Sequence, residues 1–79
     1  MKRYLYESHL DGHYYIEKEE LEYEDLICPV CRDADQNVFE FEAPKDKEVY
    51  IYEDEACNFY ASLAELDTED YLIAKVELK

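Results

Sequence analysis

The cysteine and histidine residues of this chain have the spacing of a metal site. Cys28 and Cys31 are separated by two residues, and His9 and His13 by three. A structural zinc ion is held by four such side chains, usually two short-spaced pairs arranged as a tetrahedron. The order His-x3-His-x14-Cys-x2-Cys reverses that of a zinc finger but keeps similar pair spacings. We therefore predict a zinc site with these four residues as ligands.

Three other residues are alternative zinc ligands. Cys57 is the third thiol and could replace one histidine, although a free cysteine is also common as a small core residue. Asp33 and Asp35 follow the cysteine pair and could donate an oxygen, or could simply be solvated acids. The predicted role of zinc is structural, because the sequence has no His-Glu-x-x-His arrangement of a catalytic zinc site.

The same Cys-x-x-Cys motif could instead belong to a small redox protein. Such a motif needs a thiolate activated at a helix N-terminus. The residues that follow, Arg-Asp-Ala-Asp at positions 32–35, do not predict a helix, and nearby acids raise rather than lower a thiol pKa. Two inert cysteines are a third interpretation. The chain offers no nucleophile motif and no glycine-rich phosphate loop, so we expect no enzyme.

The elements around these residues are predominantly strands. Aromatic runs at 3–9 and 13–16 flank Asp11-Gly12, which predicts a β-hairpin. Further strands are expected at 38–42, 48–52 and 72–78, and a tight turn at 27–31. The acidic stretch 17–25 fits a short helical turn or a loop.

One helix is predicted at about 54–66. Asp54 can cap it, and the apolar residues behind Asp54 recur at helical spacing. The sequence therefore predicts a single α+β domain over residues 1–79, an antiparallel sheet with one packed helix and a structural zinc site. No internal repeat is visible at this level.

Composition excludes several classes of protein. The chain has 79 residues, 22 acidic and 8 basic, and a net charge of −14. Direct binding to nucleic acid or to an anionic membrane is excluded, because both need lysine and arginine. Nine tyrosines and three phenylalanines argue against disorder.

The chain also carries no recognisable targeting signal. No apolar run resembles a signal peptide or a membrane span. Three cysteines do not form an even disulfide set, and closely spaced cysteines in a reducing compartment more often bind metal. We expect a cytoplasmic protein.

The acidic, tyrosine-rich surface predicts a protein partner with a basic groove. Tyrosine is enriched at interfaces, and a charge of this size accelerates encounter with a basic surface. A solubilising coat is the plainer interpretation. The candidate contact residues lie in the two densest acidic runs: Glu19, Glu20, Glu22, Tyr23, Glu24, Glu53, Asp54 and Glu55.

Two stretches of the first half resemble short proteins of Gram-positive bacteria and their phages. They are Tyr-Glu-Ser-His-Leu-Asp-Gly at 6–12 and Cys-Pro-Val-Cys-Arg-Asp-Ala-Asp at 28–35, with Arg32 where those proteins have glycine. With its size and acidity, the chain resembles the anti-CRISPR proteins that inhibit the RNA-guided nuclease of type II systems. The second half resembles no family.

This resemblance implies a function. Such inhibitors bind the nuclease in or near its positively charged channel, so that target DNA does not load. Zinc would then hold the scaffold, the acidic residues would contact a CRISPR effector nuclease in the bacterial cytoplasm, and a monomer is expected. The alternatives are a zinc-binding adaptor of transcription or translation and the small redox protein described above.

Overall fold

The computed structural model describes residues 1–22, 27–44 and 46–78, and these residues form strands and loops only. Tyr23 and Glu24, two of the predicted contact residues, lie outside the described residues. Seven strands follow in chain order: β1 (Lys2–Ser8), β2 (Tyr14–Glu17), β3 (Ile27–Pro29), β4 (Glu40–Glu42), β5 (Glu48–Glu53), β6 (Phe59–Ser62) and β7 (Tyr71–Glu77). The predicted α+β class is therefore wrong, because the described part of the chain is all-β. It contains no helix that could span a membrane.

The hairpin predicted around Asp11-Gly12 is confirmed. Strand β1 pairs antiparallel with β2, with Leu5 opposite Ile16. The Ser8 amide donates to the carbonyl of His13 over 2.9 Å, which closes the loop. Gly12 has a φ of 70°, a left-handed conformation that glycine adopts without steric cost.

The predicted helix at 54–66 is wrong, although Asp54 does bind backbone amides. Its Oδ1 accepts hydrogen bonds from the amides of Ala56 and Asn58, each at 2.9 Å. Cys57 then has a φ of 63°, so the chain turns back into β6 instead of continuing a helix. The capping chemistry predicted for Asp54 is present, but it stabilises a hairpin loop.

The tight turn predicted at 27–31 is also wrong. Ile27–Pro29 forms β3, which pairs antiparallel with β1. The reversal comes later, where Cys31 bridges Val38 around a loop at 32–37. Pro29 is tolerated in β3 because this strand lies at the edge of its sheet.

The strands form two antiparallel sheets that share one core. In the first sheet β1 lies between β2 and the pair β3 and β4, and in the second β5 lies between β6 and β7. Alternate residues of the central strands β1 and β5 point into the core, where Leu5 and Ile51 are fully buried. The buried cluster comprises Leu5, Val30, Phe39, Ala43, Val49, Ile51 and Leu78.

The two halves of the chain repeat the same unit, which the sequence analysis missed. Tyr-Leu-Tyr-Glu at 4–7 lies on β1 and Tyr-Ile-Tyr-Glu at 50–53 lies on β5. The register of each following hairpin is the same, with Tyr6 opposite Tyr15 and Tyr52 opposite Tyr60. On the other side of each central strand, β3 and β4 together take the place that β7 takes alone.

Each half also folds an acidic segment over the outer face of its sheet. We call residues 18–22 strap 1 and residues 63–67 strap 2. The Leu21 amide of strap 1 donates to the hydroxyl of Tyr6 at 2.7 Å, and the Leu66 amide of strap 2 donates to the hydroxyl of Tyr52 at 2.8 Å. Tyr6 and Tyr52 are consequently only 2% exposed, although both point away from the core.

Candidate functional site

The four predicted zinc ligands lie on three different parts of the fold. His9 and His13 are exposed in the β1–β2 loop, where His13 Nδ1 lies 3.6 Å from Asp11 Oδ2. Cys28 lies on β3, and Cys31 follows it at the bridge to Val38. Within residues 1–22, 27–44 and 46–78, no three His, Cys, Asp or Glu side chains are grouped closely enough to hold a metal ion.

Cys28 belongs to a row of titratable side chains that crosses the first sheet. Glu7 on β1 lies opposite Tyr14 on one side and opposite Cys28 on the other. The Cys28 thiol lies 3.7 Å from the carbonyl oxygen of Glu7. Burial, the Glu7 carboxylate and the Cys31 thiol raise the pKa of Cys28. This direction argues against the redox interpretation, which needs a thiolate.

Tyr14 responds to the same environment. Burial and the hydrogen bond to the Glu7 carboxylate raise the pKa of Tyr14 to about 12. The Glu53 carboxylate, from the other sheet, contributes in the same direction. The Glu7 carboxylate therefore lies between two side chains, Tyr14 and Cys28, whose protonated, neutral forms are favoured.

Two of the alternative zinc ligands, Asp33 and Cys57, line one pocket together with the predicted ligand Cys31. An open pocket of about 250 Å³ is lined by Cys31, Asp33 and Cys57, together with neighbouring residues of both loops. The Cys31 thiol lies 3.6 Å from Gln36 Oε1 and 3.9 Å from the Pro29 carbonyl oxygen. The structure thus brings two cysteines from different halves to one pocket, and neither histidine lines it.

Asp33 has a structural role that the sequence analysis did not foresee. Its Oδ1 accepts from the amides of Asp35 and Asn37, and its Oδ2 accepts from Asn37 Nδ2 at 2.7 Å. These hydrogen bonds also lower the pKa of Asp33, the side-chain bond from Asn37 most of all. Asp35 is exposed in the same loop.

The loop at 33–37 has the same design as the loop at 54–58. Each begins with Asp and ends with Asn four positions later, and the residue before that Asn has a positive φ: 66° at Gln36 and 63° at Cys57. In each loop the Asp side chain accepts from the amides two and four positions later. An Asp-x-x-x-Asn pattern between two strands was the signal in the sequence.

The described residues of the two predicted acidic clusters lie on different elements. Strap 1 contains the exposed residues Glu19, Glu20 and Glu22, which flank Leu21 in the sequence. Glu55 is exposed at the β5–β6 hairpin, whereas Glu53 is half-buried at the end of β5. No contact residues were predicted in strap 2, although Glu65 and Asp67 occupy the positions there that Glu20 and Glu22 occupy in strap 1.

Arg3 was not among the residues predicted from the sequence. This side chain is 2% exposed, and its Nε and Nη2 atoms have no hydrogen-bond partner in the described part of the chain. The sequence does contain a signal for its burial, because Arg3 lies two residues before Leu5 and therefore on the apolar face of the predicted first strand.

Comparisons with protein-family models, with curated proteins and with solved structures found no match to this chain. The resemblance to the CRISPR inhibitors rests on size, acidity, the lack of a recognisable targeting signal and the two stretches of sequence quoted above, and it stays a prediction.

Proposed function

We propose that this chain is a non-catalytic binding protein that docks on a basic surface of a CRISPR effector nuclease and keeps target DNA from loading. The observation that supports this proposal is the uncompensated charge. The described ion pairs that involve a lysine or the N-terminus are Met1–Glu42, Lys2–Glu40 and Lys75–Glu48. The remaining described carboxylates, apart from Asp11, have no ion-pair partner among the residues that the structure describes.

The two straps supply the surface. Each presents an acid, a leucine and an acid: Glu20, Leu21 and Glu22 in strap 1, and Glu65, Leu66 and Asp67 in strap 2. The straps cover the outer faces of opposite sheets, so negative charge faces outward on both sides of the domain. A body of this kind suits a cleft with basic walls on two sides, such as the channel of a nuclease that holds a guide–target duplex.

Apolar side chains within strap 2 and shortly after it add contact area. Leu63, Leu66, Tyr71 and Leu72 are all exposed, and Tyr71 is 70% exposed. Glu65, Asp67 and Glu69 are interspersed among them. Aromatic and aliphatic side chains within a charged rim are typical of protein interfaces. In this proposal the protein acts as a monomer in the bacterial cytoplasm, and zinc bound by Cys28 and Cys31 remains part of it as a stabiliser of the scaffold.

The experiment is DNA cleavage by purified type II CRISPR nucleases, with this protein added before or after target DNA. Inhibition only when it is added first is expected, because the two compete for one channel. The test variant is Glu20→Gln with Glu65→Gln, which should inhibit at least tenfold less. Its control is Asp35→Asn with Asp46→Asn, which removes the same charge from exposed positions outside the straps.

Asp54 is not suitable for this test, because reversing its charge would destroy the hairpin loop that its carboxylate holds. Glu55→Lys, at the exposed tip of that loop, tests the second predicted cluster instead. Binding that persists on a DNA-loaded nuclease would support the adaptor alternative. No inhibition across several nucleases would overturn the proposal.

A further inference from the structure

The edges of the two sheets meet along a seam between β2 and β7. A pocket of about 430 Å³ opens on this seam, lined by residues 14–19 and Leu21 from the first half and by Val76 and Glu77 from the second. A neighbouring pocket of about 330 Å³ continues along the same seam between residues 12–15 and 73–76. The larger pocket lies within the size range of small-molecule sites, roughly 300–1,000 Å³.

Arg3 lies in the wall of the larger pocket. It projects from the interior face of β1, and at 2% exposure it is among the most buried side chains of the protein. Its Nε and Nη2 atoms are buried without a partner, and no carboxylate of the described residues forms an ion pair with it. A buried guanidinium remains charged, and leaving it unpaired is costly. Although the chain has a net charge of −14, none of the acids that the structure describes is a counter-ion of this arginine.

The second half of the chain shows that the fold does not require an arginine here. Tyr4 corresponds to Tyr50 in the repeated unit, so Arg3 corresponds to Val49. The cross-strand neighbour of Arg3 is Phe41 on β4, and that of Val49 is Val76 on β7. Val49 is fully buried in the core. The second half thus has an apolar residue, Val49, at this position, whereas the first half has a charged residue, Arg3, that lines a pocket.

The lining defines the ligand. A guanidinium presents a planar fork of donors that matches a carboxylate in a bidentate geometry. Ile16, Leu21 and Val76 add apolar wall, and Tyr14 and Tyr15 add aromatic wall. Besides Arg3, the lining holds one base, Lys18, and three acids, Glu17, Glu19 and Glu77. Because these carboxylates repel anions, they disfavour a ligand with more than one negative charge.

We propose that this pocket binds the carboxylate of a ligand with an apolar or aromatic body, with Arg3 as its counter-ion. Two sources supply that chemistry: a small monocarboxylic acid, or the C-terminal carboxylate of a peptide with an apolar last residue. The lining shares Lys18, Glu19 and Leu21 with strap 1. The proposal is nevertheless tested without a nuclease, so it stands or falls independently of nuclease binding.

The test titrates the full chain with phenylacetate, with inorganic phosphate, and with a short peptide ending in phenylalanine as the free acid or the amide. Amide chemical shifts in nuclear magnetic resonance spectra report the site. Phenylacetate or the free-acid peptide at millimolar concentration should shift the amides of Tyr14, Ile16 and Val76. The peptide amide should have no effect, and whichever of the two acids binds identifies the source.

Arg3→Met keeps the length of the side chain and removes its charge, and Arg3→Lys keeps the charge and removes the fork. Binding should weaken at least tenfold in Arg3→Met and by a smaller factor in Arg3→Lys. If Arg3→Met does not fold, the titration of the unaltered chain still decides the matter. Unchanged spectra with both carboxylates, or phosphate bound as tightly as phenylacetate, would overturn the proposal.

Discussion

Tyr6 and Tyr52 occupy equivalent positions on the two central strands, and each accepts a hydrogen bond from a leucine amide of the strap that covers it. The donor is Leu21 for Tyr6 and Leu66 for Tyr52, at 2.7 and 2.8 Å. In both halves the leucine follows the paired tyrosine of the next strand, Tyr15 or Tyr60, by six positions. A buried hydroxyl and a strap amide thus close the outer face of each sheet in the same way.

The first prediction concerns these two hydroxyl groups. Tyr6→Phe and Tyr52→Phe should each lower the free energy of unfolding by about 1 kcal/mol, because each leaves a part-buried strap amide without its acceptor. Urea unfolding measures this loss, and hydrogen exchange should accelerate at Leu21 or Leu66 in the corresponding variant only. Tyr50→Phe is the control, since its hydroxyl bonds to an exposed carboxylate of Glu48. Unchanged exchange at both leucines would contradict the strap contacts.

The second prediction separates the observed hairpin from the helix that the sequence predicted. Cys57 has a φ of 63°. Glycine adopts this conformation without a clash, so Cys57→Gly should raise the free energy of unfolding by about 1 kcal/mol. Inside a helix the same change would lower it by a similar amount.

Ala56→Gly provides the matched control for Cys57→Gly, because Ala56 is exposed in the same loop and does not have a positive φ. This control should not be stabilised. The comparison needs three thermal or urea unfolding curves, one for the unaltered chain and one for each variant. Destabilisation of both variants to the same extent would favour the helix.

Strands β1, β2, β4, β5 and β7 were predictable from the sequence because their local signals and their burial agree. Runs rich in tyrosine located β1 and β5, alternation of apolar residues located β7, and Asp11-Gly12 located the first hairpin. The helix prediction failed at Asp54, because an aspartate that accepts hydrogen bonds from nearby amides occurs both at helix N-termini and in hairpin loops. Tertiary pairing of β6 with β5 decides between them, and that pairing is not a local property.

The candidate site was less predictable than the fold. Cysteine spacing indicates which thiols could share an ion, but it does not show that Cys31 and Cys57 line one pocket from different halves of the chain. Arg3 was overlooked for a related reason. A base that follows Lys2 near the N-terminus resembles a surface residue, whereas its alternation with Leu5 places it on the core side of β1.

The third prediction is the dependence of stability on alkaline pH. Burial and Glu7 raise the pKa of Tyr14 from 10.0 to about 12. The unfolded chain therefore releases this proton at lower pH than the folded chain, and the free energy of unfolding should fall as pH rises from 10 toward 12. Tyr14→Phe should make this decline shallower.

Urea unfolding over that pH range measures the Tyr14 contribution. Tyr50 and Tyr60 add to the decline in all variants, because hydrogen bonds to Glu48 and Asp70 raise their pKa values. Tyr15→Phe, at the exposed neighbour of Tyr14, is the control. If the two variants gave the same slope, Tyr14 would not be the group responsible.

The fourth prediction is zinc binding. Purified protein should carry one zinc ion per chain, and a chelator at neutral pH should lower its melting temperature, because a structural metal stabilises the folded state alone. Cys28→Ser and Cys31→Ser should lose the metal. Cys57→Ser separates the alternatives, since it keeps zinc if the histidines complete the site and loses zinc if Cys57 does. Protein that stays metal-free after zinc is added, with an unchanged melting curve, would remove zinc from the proposal.

The fifth prediction links the charge of the straps to stability and to binding in opposite directions. Like charges that lack a partner destabilise the compact state, and dissolved salt screens them over about 8 Å at physiological ionic strength. Sodium chloride should therefore raise the melting temperature of this chain. Glu20→Gln with Glu65→Gln should raise it at low salt and gain less from added salt, while binding to the nuclease weakens.

The control with Asp35→Asn and Asp46→Asn should share the gain in melting temperature but keep its affinity for the nuclease. The difference between the two double variants isolates what the straps contribute beyond net charge. Equal losses of affinity in both would show that the partner responds only to the overall charge. Affinity retained in both would mean that the straps are a solubilising coat, and that the partner contacts another part of the surface.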